Sequence, residues 1–204
     1  MTDSERTAFA DLADSLTPAQ WDQPSLCDGW KVRDVVAHVA DGADVKMGKM
    51  MITAVKYGFR MNTMNQREAQ KAGAKPTDEL RKELRATVGV HKAPGPMKPE
   101  DMLLETIVHE QDVRRPLGIA RAYSADEMKV ALERATLQGN TFLPIKKRIV
   151  DVKLKATDVD WEHGEGSEVS GPGEALLMTM AGRPVALAEL SGPGLDTLKQ
   201  RLGA

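Results

Sequence analysis

The segment Asp101-Met-Leu-Leu-Glu-Thr-Ile-Val-His-Glu-Gln-Asp-Val113 places three polar side chains on one face of a predicted helix. At about 100° per residue, Glu105, His109 and Asp112 fall within an arc of about 60°. Apolar residues such as Val108 border this arc, so we expect it to face the protein interior. A buried carboxylate costs several kcal/mol unless it is paired or bound to a cation. The arc therefore needs a counter-charge, which a divalent metal would supply.

His38 is the candidate for a third metal ligand. Residues 31–56 predict a long second helix, and His38 lies beside its apolar stripe of Val32, Val35, Val36 and Val39. Glu105 and His109 are one helical turn apart, so both can bind the same ion. Two histidines and one glutamate leave a coordination position open, as in catalytic zinc sites. Asp112 would then orient a ligand imidazole or contact the substrate.

Each of these residues also has an ordinary structural interpretation. A glutamate and a histidine four residues apart on a helix commonly form a hydrogen-bonded pair. His38 alone fits a histidine at the edge of the core, and Asp112 can pair with the arginines that follow it. Cys27 lies in a loop with no evident activating base nearby, which favours a buried or inert thiol over a nucleophile.

Composition excludes several classes of protein. The 204 residues carry a formal net charge of -2, with 28 basic and 30 acidic side chains well mixed, so no nucleic-acid partner and no membrane surface are expected. One cysteine excludes an internal disulfide, and the N-terminus lacks the layout of a secretion signal. No apolar run approaches the roughly 20 residues of a membrane span. We therefore expect a cytoplasmic protein.

Helical periodicity dominates the chain up to about residue 145, and a period of two with frequent glycine follows. This change predicts an α+β fold in which residues 1–146 form a helical bundle and residues 147–204 a small α/β domain. The main helices of the bundle are expected at residues 4–16, 31–56, 77–88 and in the segment of Glu105 and His109. Ser124 and Glu127 form a capping-box pattern that opens a further helix.

The C-terminal domain should combine one strand pair with short helices. Alternating Val152, Leu154 and Ala156 predict a strand, followed by an extended stretch at 159–161 and a hairpin at Gly164-Glu-Gly166 with Val169 on the return strand. Residues 174–181 and 195–202 predict two helices. The glycines lack the spacing of a dinucleotide-binding loop. His91 and His163 have no predicted partners.

Three groups of segments resemble the mycothiol-dependent maleylpyruvate isomerase family, within the DinB-like helical bundles. Trp21 and the run Pro24-Ser-Leu-Cys-Asp-Gly-Trp-Lys-Val-Arg-Asp-Val-Val-Ala-His38 are similar to the entry into the family's metal-binding helix. Glu105-Thr-Ile-Val-His109-Glu-Gln-Asp112 is similar to its second metal segment. The C-terminal segments 154–161, 169–177 and 181–183 resemble its small α/β domain.

The resemblance implies a DinB-like four-helix bundle with a small C-terminal α/β domain, and it implies a function. His38, Glu105 and His109 would bind zinc or another divalent metal, Asp112 would lie close by, and Arg183 would be the arginine of the C-terminal domain that takes part in the reaction. A metal with an open position lets a low-molecular-weight thiol bind as thiolate. Mycothiol or a similar thiol would then be the cosubstrate, and no residue of the chain need be the nucleophile.

Two reactions fit this chemistry. In an isomerase the thiolate adds to a conjugated double bond, allows rotation and leaves, whereas in a transferase it remains as an adduct on a small electrophile. A metal- or ligand-binding bundle without turnover, and a metal-dependent hydrolase, are the alternatives. Either a monomer or a homodimer is compatible with the sequence.

Overall fold

The structure is a computed structural model that describes residues 2–42, 47–90, 98–139 and 143–204. The chain divides into two compact units, Met1–Arg121 and Ala122–Ala204. This division falls after Arg121, whereas the sequence analysis places the domain boundary after residue 146. Residues 122–146 thus fall in the second unit and not in the bundle, because their helix packs against elements of that unit. Within the described residues, no helix is long and apolar enough to cross a lipid bilayer.

The described part of the first unit is entirely helical. Its helices are α1 (Thr2–Ser15), α2 (Pro18–Trp21), α3 (Val32–Gly42), α4 (Met47–Lys56), α5 (Met61–Gly73), α6 (Thr77–Arg85) and α7 (Pro99–Leu117). Helix α1 contacts α6 and α7, and α3 contacts the same two helices. The predicted four-helix bundle is therefore confirmed. The predicted helix 31–56 corresponds to α3 and α4, between which residues 43–46 lie outside the described part.

Apolar side chains at helical spacing close the bundle. Phe9, Val35 and Leu80 are 0% exposed, and they belong to α1, α3 and α6 respectively. The same core cluster includes Leu12, Leu16, Val32, Val36, Leu84 and Val113. Inward-facing side chains recur at every third or fourth position of each helix. Their packing therefore also sets the direction in which the polar faces of α3 and α7 point.

Helix α5 has no counterpart in the sequence analysis. Its buried residues are few and, apart from Met64, they are small, so the apolar period of the helix is weak. It packs against α3, where a Cβ at Gly73 would lie 2.2 Å from Asp34 Oδ1. A glycine with no side chain therefore allows the close approach of the two helices.

The second unit combines helices with a small sheet. Its elements are α8 (Ala125–Thr136), α9 (Ile145–Ile149), β1 (Val152–Ala156), β2 (Glu162–His163), β3 (Ser167–Gly171), α10 (Gly173–Met180), a 3-10 helix (Pro184–Glu189) and α11 (Leu195–Leu202). The capping box that opens α8 is confirmed, because Ser124 Oγ accepts a hydrogen bond from Glu127 N and the Glu127 carboxylate accepts one from Ser124 N.

The predicted hairpin is wrong in its pairing. The described residues form a sheet of order β2-β1-β3, in which β1 is antiparallel to β2 and parallel to β3. The chain already reverses within 157–161, which includes the stretch 159–161 that was expected to be extended, and β3 pairs with β1. Gly164 and Gly166 adopt φ of +83° and +112°. A Cβ at either position would lie 2.4 Å from a carbonyl oxygen, that of Val152 or of Asp151 respectively. They carry the chain past the start of β1 to the other edge. The α+β fold class is confirmed.

Candidate metal centre

Helix α7 holds three of the predicted site residues, and both of its ends are well defined. Pro99 occupies the first turn, where a missing N–H costs nothing, and Lys98 N donates a 2.8 Å hydrogen bond to Asp101 Oδ2. The helix ends at Gly118, which has a φ of +66°. These caps set where the 19-residue helix begins and ends, and its packing in the bundle sets the direction of the arc.

The arc lies on the buried face, as predicted, but its members differ in exposure. Asp112 has a fully buried side chain, whereas the side chains of His109 and Glu105 are 14% and 34% exposed. The neighbouring Met102 and Val108 are buried. The arc is therefore closed at the Asp112 end and partly exposed at the Glu105 end.

His38 of α3 faces the two candidate ligands of α7. Its Nε2 lies 3.7 Å from Glu105 Oε1, and the rings of His38 and His109 have centroids 5.1 Å apart. One donor atom from each of His38, Glu105 and His109 lies within 4.8 Å of the others. The structure thus brings together the three predicted ligands. His163 lies on β2 of the other unit, stacked on Trp161, and His91 is outside the described residues.

Asp112 contacts the imidazole of His109. Its Oδ2 lies 3.0 Å from His109 Nδ1. A carboxylate only accepts hydrogen bonds, so we assign the imidazole proton to Nδ1. The other ring nitrogen, Nε2, then keeps its lone pair. This is the carboxylate–histidine arrangement that orients metal-binding histidines in many proteins.

Cys27 joins the same cluster, which the sequence analysis did not foresee. Its thiol donates a hydrogen bond to Asp112 Oδ2 at 3.0 Å, and its Sγ lies 3.9 Å from His109 Nδ1. Cys27, His109 and Asp112 form a further set of potential metal ligands within 4.8 Å. The expectation that this thiol has no base beside it is wrong. Sequence periodicity carries no signal for such a contact, because Cys27 lies in a loop.

The loop that carries Cys27 is held against α7 by backbone bonds. Leu26 N donates to Asp112 O at 3.0 Å, and inside the loop Ser25 N donates to Trp30 O at 2.9 Å. Gly29 supplies the left-handed turn with a φ of +72°. These bonds fix the loop, so the position of the thiol is set by the backbone and not only by its own side chain.

Trp30, at the end of this loop, packs against both imidazoles. Its ring centroid lies 5.0 Å from that of His38, edge-on, and 6.4 Å from that of His109, nearly parallel. A large rigid ring in contact with two candidate ligands restricts their rotation and covers one side of the group. The sequence analysis assigned no role to Trp30.

Opposing effects set the charge of Glu105. Burial raises the pKa of its carboxyl group, but His38, and then the charges of His109 and Arg6, outweigh that effect and hold the pKa below its ordinary value. Arg6 is itself buried, and its Nη1 donates to the carbonyl of Thr87 at 2.8 Å. Glu105 is therefore ionised at neutral pH, as a metal ligand must be.

Comparison with known proteins finds a matching family model. The sequence model described as the mycothiol maleylpyruvate isomerase N-terminal domain matches residues 2–101, which include His38. Residues 2–101 are thus similar to the N-terminal domain of that family. The family resemblance noted from the sequence segments is thereby confirmed. A search of curated proteins gave no match.

Two solved structures share the fold of the chain. Both are crystal structures of the mycothiol-dependent maleylpyruvate isomerase, one of them of a histidine-to-alanine mutant. Their sequence identities to the chain are 13% for the mutant and 14% for the other structure. In each case the TM-score is 0.61, and the match covers 94% of this chain and 90% of the other. The likeness extends beyond the residues that the family model matches and includes the C-terminal unit.

Arg183, the remaining predicted site residue, lies in the second unit between α10 and the 3-10 helix. It is partly buried, and its Nη1 donates a 2.7 Å hydrogen bond to Ala181 O. Its part in a reaction stays a prediction.

Proposed function

We propose that the protein is a divalent-metal-dependent enzyme that uses mycothiol, or a similar low-molecular-weight thiol, to convert a small electrophilic substrate. The reaction is either a cis-trans isomerisation or a thiol transfer. The observation that carries the proposal is the convergence of donor atoms from His38, Glu105 and His109 within 4.8 Å. The match of residues 2–101 to the N-terminal domain of that family supports the choice of thiol chemistry.

The donor set fits zinc. Two imidazole nitrogens and one carboxylate oxygen are typical of catalytic zinc sites, which keep a position open for water or substrate. When bound here, the metal would supply the positive charge that keeps a thiol deprotonated at neutral pH. His38 and His109 would bind it as neutral imidazoles, and Glu105 would contribute the negative charge.

The protein's own residues have distinct roles in this proposal. In this proposal Asp112 holds the proton on His109 Nδ1 and so directs Nε2 to the metal, and its carboxylate relays a proton. Trp30 limits access of water on one side of the imidazoles. Arg183 would bind a carboxylate of the substrate or stabilise an enolate. Because the nucleophile is the cosubstrate, the protein needs to orient and protect it, not to replace it. The cosubstrate must stay a free thiol, which a reducing compartment maintains, so we place the enzyme in the cytoplasm.

Metal content and thiol dependence test the proposal. The purified protein and His163→Ala, a matched control on β2, should hold stoichiometric divalent metal, whereas His38→Ala, Glu105→Ala and His109→Ala should bind it at least tenfold more weakly. Maleylpyruvate and a panel of small electrophiles should then be consumed only when a thiol is added.

Each alternative gives a different result. Consumption with metal but without thiol would indicate a hydrolase. Saturable binding without turnover would indicate a binding protein. A metal-free protein whose three variants bind metal as well as wild type contradicts any metal-dependent function.

A further inference from the structure

Large apolar side chains are exposed on one helix of the first unit. Met51, Ile52 and Val55 of α4 are 52%, 74% and 59% exposed, and Phe59, just beyond the helix, is 63% exposed. We call these four residues the α4 patch. The other large apolar side chains with comparable exposure among the described residues lie singly in the second unit. Single exposed apolar residues are normal on a protein surface, whereas a cluster of them indicates an interaction surface.

The helical members of the α4 patch share one face of α4. At about 100° per residue, Met51, Val55 and Ile52 fall within an arc of about 100°. Ala54, on another side of the helix, is buried, and α4 packs chiefly against α5. The helix is therefore apolar both toward its neighbour and toward solvent. A helix that is apolar on all sides is ordinarily buried, so the outer face of α4 lacks the cover that such a face ordinarily has.

The turn that ends α4 places Phe59 at the surface. Phe59 N donates a 2.8 Å hydrogen bond to Ala54 O, and Gly58 N donates to Val55 O at 2.9 Å. Gly58 and Phe59 have φ of +57° and +58°. Glycine adopts this left-handed conformation freely, but a bulky residue such as phenylalanine rarely does. An aromatic ring that is exposed and carried by strained backbone points to a role other than packing of the fold.

The chain segment that carries the α4 patch has charges of one sign. Residues 47–67 contain two lysines and two arginines and no aspartate or glutamate, although the whole chain has a net charge of -2. Lys56 and Arg60 are exposed. Glu68, which follows the segment, accepts a hydrogen bond from Tyr57 Oη at 2.9 Å. The net charge of the chain, from which no membrane surface was expected, averages over this segment, which is both apolar and cationic.

We propose that the α4 patch docks on the surface of an anionic lipid bilayer. Cations at the border of an exposed apolar helix face bind phospholipid headgroups, while the apolar side chains enter the boundary between headgroups and acyl chains. A second copy of the chain fits less well, because a symmetric contact places the same cations opposite one another. Methionine, isoleucine and valine offer no rings on which the bases of a nucleic acid can stack. A bilayer surface is both anionic and apolar, and so matches the patch.

Sedimentation of the full-length protein with sucrose-loaded vesicles tests the proposal. We expect binding to phosphatidylcholine vesicles that contain about 30% phosphatidylglycerol, at least tenfold weaker binding to phosphatidylcholine alone, and weaker binding in added salt. Ile52→Asn and Phe59→Gly should each weaken binding at least threefold. Lys56→Gln combined with Arg60→Gln should weaken it at least tenfold, because each cation near an anionic membrane contributes about fivefold.

Two exposed positions of the second unit provide matched controls. Leu137→Asn removes an apolar side chain that is 59% exposed, and Lys129→Gln removes an exposed cation. Each should change vesicle binding less than twofold. Circular dichroism establishes that the variants are folded. We expect Ile52→Asn and Phe59→Gly to fold, because Ile52 is largely exposed and glycine relieves the strain at position 59.

Several results overturn the proposal. These are equal binding to both kinds of vesicle, or unchanged binding in folded Ile52→Asn and Phe59→Gly. If neither of these variants folds, unchanged binding after the paired Lys56 and Arg60 substitutions decides against the patch. Binding to poly-glutamate as tight as binding to anionic vesicles would indicate an acidic polypeptide as the partner instead. A wild-type dimer that Ile52→Asn dissociates, measured by analytical ultracentrifugation, would assign the patch to a second copy.

Discussion

The thiol of Cys27 donates a 3.0 Å hydrogen bond to the carboxylate of Asp112, a residue 85 positions later in the chain. The same oxygen lies 3.0 Å from His109 Nδ1. One fully buried carboxylate thus joins a loop preceding α3 to a candidate metal ligand of α7. The metal centre and the loop are coupled through this atom.

Replacement of Asp112 should weaken metal binding without abolishing it. In Asp112→Asn the negative charge that holds the proton on His109 Nδ1 is lost, and a partner that orients a metal-binding histidine typically contributes about 10- to 100-fold in affinity. A competition titration with a zinc-binding dye measures the change. Asp28→Asn, an exposed position in the neighbouring loop, is the control. Equal affinity of Asp112→Asn and wild type would show that Asp112 does not orient His109.

Replacement of Cys27 should reveal the energy of its hydrogen bond. Cys27→Ala leaves the buried Asp112 carboxylate without this donor, and a lost partner of a buried group costs about 1–3 kcal/mol. Cys27→Ser keeps a hydroxyl donor and should lose less. Urea unfolding of the metal-free proteins measures both values. If alanine and serine destabilise equally, the contact contributes only packing.

Gly73→Ala should destabilise the packing of α5 on the helix that carries His38. The added Cβ would lie 2.2 Å from Asp34 Oδ1 and 3.1 Å from Asp34 Cα, so backbone as well as side chain must move. Overpacking of this kind costs about 1–3 kcal/mol. Gly48→Ala in α4 has no atom within 4 Å and should instead stabilise by up to about 1 kcal/mol. Thermal unfolding compares the two, and a neutral Gly73→Ala would mean that α5 is not closely packed.

Asp34 and Asp22 should have opposite effects on the pH dependence of stability. Burial raises the pKa of Asp34, so the folded state holds its proton more tightly than the unfolded state. The contribution of Asp34 to the stability of the fold is therefore fully present below the pKa that its carboxyl group has in the unfolded chain, about 3.9. It is lost as the pH rises through the higher pKa of the folded state. Asp34→Asn should be at least as stable as wild type at pH 7, with the difference shrinking toward pH 4.

Asp22 is the matched control for this measurement. The hydrogen bond and charge of Lys31 lower the pKa of its carboxyl group. The contribution of Asp22 to the stability of the fold is present above the pKa of the unfolded state. It is lost as the pH falls through the lower pKa of the folded state. Asp22→Asn should therefore lose stability at pH 7 and match wild type in acid. Urea unfolding at several pH values checks both variants, and parallel curves for the two would contradict these assignments.

Helical periodicity was sufficient to predict the bundle and part of the site. Residues such as Val35, Leu80 and Val108 recur at intervals that place them inside, so the arc of Glu105 and His109 had to lie near the core. Pairing of strands was less predictable. Val169 alternates as a strand residue should, but whether β3 pairs with β2 or with β1 depends on the path of the chain around Gly164 and Gly166.

The amino-acid sequence by itself determined which helix faces are buried, because side-chain periodicity and hydrophobicity are local properties. It thereby determined that Glu105, His109 and Asp112 share an arc and that His38 borders another inward face. Only the tertiary structure decided which loop meets that arc. Cys27 and Trp30 reach the imidazoles because a backbone hydrogen bond from Leu26 to α7, together with bonds inside the loop, places them there. Such a contact between distant segments depends on the packing of the whole bundle, and no local pattern encodes it.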